Sequence, residues 1–264
     1  MKRTVRGIEL AYDDEGSGTP VMLLHGYPFN RSMWREQVEE LKQHHRVIVP
    51  DLRGHGESAV TPGVATMAVM AGDVAALLES LQVSRPAIGG LSMGGYVALA
   101  FCRLFPLQVR SLVLADTRAQ GDTEEGKLNR EQQAEKALRE GIEGIADSLL
   151  PKLLAPKTVA KRPEIVKRVR EMMVATDPAG AAAALRGMAQ RQDQTSFLSH
   201  IVAPTLILVG SEDALTPVAD AELMHREIGG SRMQIIEGAA HISNIEQPED
   251  FNQAMLEFLG DDEV

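Results

Sequence analysis

Short apolar runs alternate with longer segments of helical periodicity through the first 116 residues. VMLLHG (21–26), RVIVPD (46–51), PAIGGL (86–91) and SLVLAD (111–116) have the length and the aliphatic, β-branched content of strands. TMAVMAGDVAALLESL (66–81) and MGGYVALAFCRLF (93–105) have helical length and spacing. Near-continuous apolar strands separated by helices predict βαβ units and an α/β fold with a mostly parallel central sheet flanked by helices. The opening segment has two short alternating runs around Gly7, a pattern that predicts an antiparallel hairpin at the sheet edge.

The rhythm breaks after residue 116. From 117 to 199 no strand pattern occurs, and the segment reads as several helices punctuated by Gly141, Gly144, Pro151, Pro156, Pro163 and Pro178. Strand signals return in APTLILVGSED (203–213) and SRMQIIEG (231–238), with the helical stretch VADAELMHREI between them. The expected organisation is one core, 1–116 with 200–264, carrying an inserted all-helical cap, 117–199. Such an insert is expected to lie over the carboxyl ends of the strands, where open α/β sheets bind ligands.

Composition narrows the function classes. At 264 residues and 44% apolar content the chain can bury a substantial core, and its net charge of −10 argues against capture of nucleic acid. The basic cluster KRPEIVKRVR (161–170) contains Glu164 and has helical spacing, so a solvated helix face is expected there. The single cysteine, Cys102, excludes an intrachain disulfide and sits in the apolar run YVALAFC, as a small buried hydrophobe would. MKRTVRGIELAYDDEG lacks the apolar stretch of a secretory signal, and no run is long enough to span a bilayer; a cytoplasmic protein with no membrane partner is the expectation.

The chemistry-bearing residues follow the strands. Gly90-Leu91-Ser92-Met93-Gly94 matches G-x-S-x-G between a predicted strand and a predicted helix, the context in which a serine stands on a sharp turn with its hydroxyl projecting from the sheet. A serine hydroxyl needs a general base, and the base needs an orienting carboxylate. Asp213 follows TLILVG and His241 follows the last predicted strand, in the chain order Ser, Asp, His. A capping role competes for Asp213, because Thr216-Pro217 begins a helix pattern, and Asp116 at the end of SLVLAD is a second position for the acid. His44, His45, His200 and His225 read as surface or structural histidines. An oxyanion needs donors as well: the backbone N–H of Met93, next to the serine, and that of Tyr27 in His25-Gly26-Tyr27-Pro28, where Pro28 has no N–H to offer.

LLHGYPFNRSMW, PDLRGHGES, GGLSMGG, ILVGSEDALTP and GAAHISNIEQP, in this order over nearly the whole chain, resemble the α/β-hydrolase superfamily. LADTRAQGDTEEGK and the helical stretch before RQDQTSFL resemble the branch of 3-oxoadipate enol-lactonases and small carboxylesterases. The resemblance implies a cofactor-free, two-step cleavage of a small-molecule ester or lactone through an acyl-enzyme on Ser92, with no metal; separately, a monomer or homodimer is the expected assembly. The resemblance also implies that His55, in Arg53-Gly54-His55-Gly56, supports the floor of the site. Serine rather than aspartate at the turn argues against the dehalogenases and epoxide hydrolases of this fold. Cofactor-free haloperoxidase or perhydrolase activity on the same triad is an alternative, and a receptor-like binding module is another. Arg118 and Arg191, near the two cap boundaries, are candidates to bind a substrate carboxylate, with surface ion pairs the competing reading. Met188, with Met172 and Met173, is a candidate for an apolar lining, and core packing is the competing use. Trp34 is expected to pack in the helix after the oxyanion loop, with a place in the pocket wall the competing reading.

Overall fold

The computed structural model describes residues 1–261. The hairpin comes first, with β1 (Lys2–Val5) and β2 (Ile8–Gly16) turning through Arg6 and Gly7, both at positive φ. β3 (Thr19–Leu24), α1 (Arg35–Leu41), β4 (His45–Pro50), α2 (Met67–Ser80), β5 (Ala87–Leu91), α3 (Met93–Leu104) and β6 (Leu112–Ala115) follow. Five helices then intervene without a strand: α4 (Glu124–Glu140), α5 (Glu143–Leu153), α6 (Pro156–Lys161), α7 (Pro163–Val174) and α8 (Pro178–Ala189). The chain closes with β7 (Thr205–Gly210), α9 (Val218–Glu227), β8 (Arg232–Ile236), α10 (Ser243–Glu246) and α11 (Pro248–Asp261).

The eight strands form one sheet in the order β1-β2-β4-β3-β5-β6-β7-β8. β1 and β2 pair antiparallel, as do β2 and β4, and every other neighbour is parallel. Every residue of β5, β6 and β7 is buried, which is why these strands read as apolar runs rather than alternating ones. Two apolar clusters cover the two faces. One gathers Met70, Val74 and Leu77 of α2 with Val97 and Phe101 of α3, and Cys102 lies in it with its thiol pushed up by burial to about 11. The other packs Trp34, Leu41 and Phe251 together, with the Trp34 and Phe251 rings 6.1 Å apart, so the one tryptophan is core.

The helices between β6 and β7 are moored to the core by contacts that need small or polar residues at named positions. Gly180 rests on the backbone of Gly54 and Gly187 on that of Ala65, so a side chain at either would collide with main chain. Ala65 N–H donates to Ala183 O at 3.1 Å, and Thr176 Oγ1 donates to Pro28 O at 2.8 Å. α4 packs along α8, with Ala134 and Ala137 of the one and Ala181–Ala184 of the other buried in the same apolar cluster, and Arg186 pairs with Glu131. The basic stretch at 161–170 turns Ile165 and Val169 inward and pairs its charges outward, Arg168 with Glu36 and Arg170 with Asp147. No helix among the described residues is long and apolar enough to cross a membrane.

Candidate active site

Ser92 follows β5 directly and stands at the N-cap position of α3 with φ 55° and ψ −114°, a backbone conformation that costs a residue with a side chain on the order of 1–3 kcal/mol. The flanking glycines make the turn possible. A Cβ on Gly94 would strike the backbone of Leu24, and one on Gly90 would strike Gly94 and Gly95. The turn is tied down by Ser92 N–H donating to Ala115 O (3.0 Å) and by Thr117 Oγ1 donating to Ser92 O (2.8 Å).

His241 enters from the loop after β8. Its Nε2 lies 2.8 Å from Ser92 Oγ and its Nδ1 lies 2.9 Å from Asp213 Oδ2. Asp213 is at once the cap of its own loop and the partner of the imidazole. Its Oδ1 accepts from Leu215 N–H (2.8 Å) and Thr216 N–H (3.0 Å), while Oδ2 accepts from Thr216 Oγ1 (2.7 Å) and faces His241. Burial opposes the charge on Asp213, but His241 and the Thr216 donors outweigh it and hold the carboxyl below its usual range. Asp116 occupies a different place. Its Oδ1 accepts from Gly210 N–H (2.8 Å) and its Oδ2 from the Ser243 hydroxyl (2.5 Å), and burial followed by the nearby Asp213 charge pushes its carboxyl well above the usual range. The backbone N–H groups of Tyr27 and Met93 make no hydrogen bond among the described residues.

Ser92 and His241 open into a cavity of about 250 Å³. Apolar side chains Leu149, Leu153, Leu185, Met188 and Leu215 form one part of its wall. Arg118, Arg130 and Lys152 also line it, and Asp122 is the one carboxylate among the described lining residues. Asp122 is shared by Arg118 (3.2 Å), Arg130 and Arg191 (3.1 Å). Arg191 is not in the wall: its guanidinium lies 3.9 Å from the centroid of the Tyr96 ring and donates to Gln120 O at 2.7 Å. Met172 and Met173 also lie away from the cavity, in the second apolar cluster. Asp122, Arg130, Lys152 and Tyr96 escaped the sequence reading. Gly126, Asn129, Arg130 and Gln133 do recur at helical spacing on the cavity side of α4, but that pattern alone does not distinguish a cavity wall from a solvated face. Among the described residues no group of three or more His, Cys, Asp or Glu is placed to hold a metal ion.

Two buried histidines pack against each other beside Tyr27, whose ring centre lies 6.2 Å from that of His55. His25 Nε2 accepts from Leu52 N–H (2.9 Å) and its Nδ1 lies 2.8 Å from Gly26 O, a pairing that a neutral ring protonated on Nδ1 satisfies. His55 packs 5.1 Å from it, ring centre to ring centre. Burial lowers His25 to about 4; burial, then the neighbouring ring, lowers His55 to about 3. A folded-state value below that of the unfolded chain means that the unfolded state binds the proton first. This contribution to stability is therefore complete above the ordinary histidine value and is lost as pH falls towards 4. Each ring is expected to add about 1.4 kcal/mol of lost stability per pH unit through that window. Urea unfolding midpoints at pH 7, 5.5 and 4.5 check this, and His55→Asn is expected to flatten the slope by about one proton; an equal slope in both proteins would contradict it.

A family model described as the alpha/beta hydrolase fold matches residues 19–248. The 3-oxoadipate enol-lactonase 2 of Acinetobacter baylyi is 30% identical over 227 residues, covering 86% of this chain and 83% of that protein. Among solved structures, a thermophilic esterase from Thermogutta terrifontis, with malate bound, is 45% identical with a TM-score of 0.97 over 100% of this chain and 99% of its own. A bromoperoxidase from Bacillus anthracis is 25% identical with a TM-score of 0.86, covering 96% of each chain.

Proposed function

The chain belongs to the alpha/beta hydrolase fold family, and from that premise we propose that it is a serine hydrolase that cleaves a small carboxylic ester or lactone through an acyl-enzyme on Ser92. The observation that carries the proposal is the continuous relay from Ser92 Oγ to His241 Nε2 at 2.8 Å and from His241 Nδ1 to Asp213 Oδ2 at 2.9 Å.

In this reading Ser92 Oγ attacks the substrate carbonyl as His241 Nε2 takes its proton, and Asp213 stabilises the imidazolium and fixes the ring. The N–H groups of Tyr27 and Met93 receive the oxyanion, a contribution of about 2.7–4 kcal/mol for each donor in comparable sites. Collapse of the tetrahedral intermediate breaks the bond to the leaving oxygen, which takes the proton from His241. Water then attacks the acyl-enzyme with His241 again as base, and the acid departs from Ser92. The five helices between β6 and β7 act as the cap: they supply Leu149, Leu153 and Met188 for the apolar part of the substrate. Arg118 at the cavity wall is the residue proposed to meet a substrate carboxylate. Arg191 supports that wall from behind through Asp122 and Tyr96.

The test is turnover of aryl esters, alkyl esters and lactones, each beside a carboxylate-bearing counterpart, with no cofactor added. Hydrolysis of at least one class is expected, faster than bromination in the presence of peroxide and bromide. Bromination that outpaces every hydrolysis would favour the haloperoxidase reading instead, for which the similarity to the bromoperoxidase is the support.

A further inference from the structure

Two fully buried carboxylates that take no part in the relay flank His241, one on each side. On the amino side, Glu246 Oε2 accepts from Ala240 N–H at 2.7 Å, the amide immediately before His241. The other oxygen of the same carboxylate, Oε1, accepts from Ala155 N–H at 2.9 Å. Ala155 joins α5 to α6 two residues beyond Leu153, which lines the substrate cavity. The main-chain oxygen of Glu246 is held in turn by Arg162 Nη1 at 2.6 Å. On the carboxyl side, Asp116 Oδ2 accepts from the Ser243 hydroxyl at 2.5 Å, and its Oδ1 accepts from Gly210 N–H at 2.8 Å, the end of the strand that leads to Asp213.

A loop that carries a catalytic base has no ladder of its own to fix it, and a displacement of about 1 Å can cost on the order of 100-fold in rate. Buried carboxylates that accept at least two N–H or O–H groups each are firm anchors, because an unmet donor in that interior has no water to turn to. Neither carboxylate touches the cavity, since neither lines it.

We infer that Glu246 and Asp116 are positioning residues that clamp the His241 loop from both sides, Glu246 coupling the imidazole to the cap segment behind Leu153 and Asp116 coupling it to the end of β7. The inference rests on the hydrolase reading above. It assigns the setting of the base, and with it kcat, to contacts that never meet substrate.

Two substitutions test it. Glu246→Gln keeps the shape but replaces one acceptor by a donor, so one of the two N–H groups loses its partner. Ser243→Ala removes the hydroxyl that Asp116 holds and is mild enough to keep the fold. Each is expected to lower kcat for a neutral aryl ester by about 10- to 100-fold with KM within about threefold of wild type, at a temperature where melting curves show both proteins folded. Glu246→Ala, with neither acceptor, is expected to fall further than Glu246→Gln. Variants that melt earlier but keep wild-type kcat, or that raise KM alone, would overturn the clamp and leave a purely structural role. Should Glu246→Gln not fold, Ser243→Ala decides by itself. Failure of the wild type to hydrolyse any ester would instead defeat the hydrolase reading.

Discussion

Asp213→Asn is expected to lower kcat by about 10⁴-fold with little change in fold, and the hydrogen-bond inventory says why. Oδ1 of Asp213 accepts from two backbone N–H groups, at Leu215 and Thr216, so the amide oxygen of an asparagine must stay on that side. Its NH₂ then occupies the position of Oδ2 and points a hydrogen at His241 Nδ1. The ring responds by carrying its proton on Nε2, facing Ser92, where it can no longer accept one. Asp116→Asn is the contrast. An asparagine there can accept from Gly210 N–H with its oxygen and donate to the Ser243 hydroxyl with its NH₂, losing only the long 3.4 Å bond from Ser243 N–H, so a loss within about tenfold is expected. Kinetics of both variants on one ester check the assignment; equal losses would remove the distinction between the two aspartates.

That pair also marks the boundary of what was legible in the chain. The strands were, since burial on both faces writes them as apolar runs, and β5, β6 and β7 lie where those runs predict. The turn at Ser92 was legible for a local reason, because Gly90 and Gly94 are required by backbone atoms that lie close in sequence or on the adjoining strand. Asp116 and Asp213 were not separable in that way. Both follow an apolar strand, and only the path of the His241 loop decides which one meets Nδ1. The polar wall was hidden for a related reason. Arg130 and Asn129 on α4 look like any solvated helix face until α8 and the α5–α6 corner are folded beside them. Arg191 illustrates the converse: a guanidinium at the end of the insert looks available to substrate in the sequence, yet in the fold it is committed to Tyr96, Gln120 and Asp122. Glu246 gave no local signal, because its two acceptor bonds reach Ala240 and Ala155, the second 91 positions away.

Ser92→Ala is expected to have the largest effect of any single change, a loss of kcat of about 10⁴- to 10⁶-fold, with the residual rate supplied by the oxyanion donors and binding alone. The substitution keeps a Cβ at the same positive φ and removes only the hydroxyl, so stability is expected to stay within about 1 kcal/mol. Loss of activity alone would still leave open which atom carries the acyl group. Intact-protein and peptide mass spectra of enzyme quenched during turnover of a slowly deacylated aryl ester address that atom directly. One acyl group on the peptide containing Ser92, absent from Ser92→Ala, is the predicted result; turnover with no adduct on that peptide, or an undiminished rate in Ser92→Ala, would contradict it.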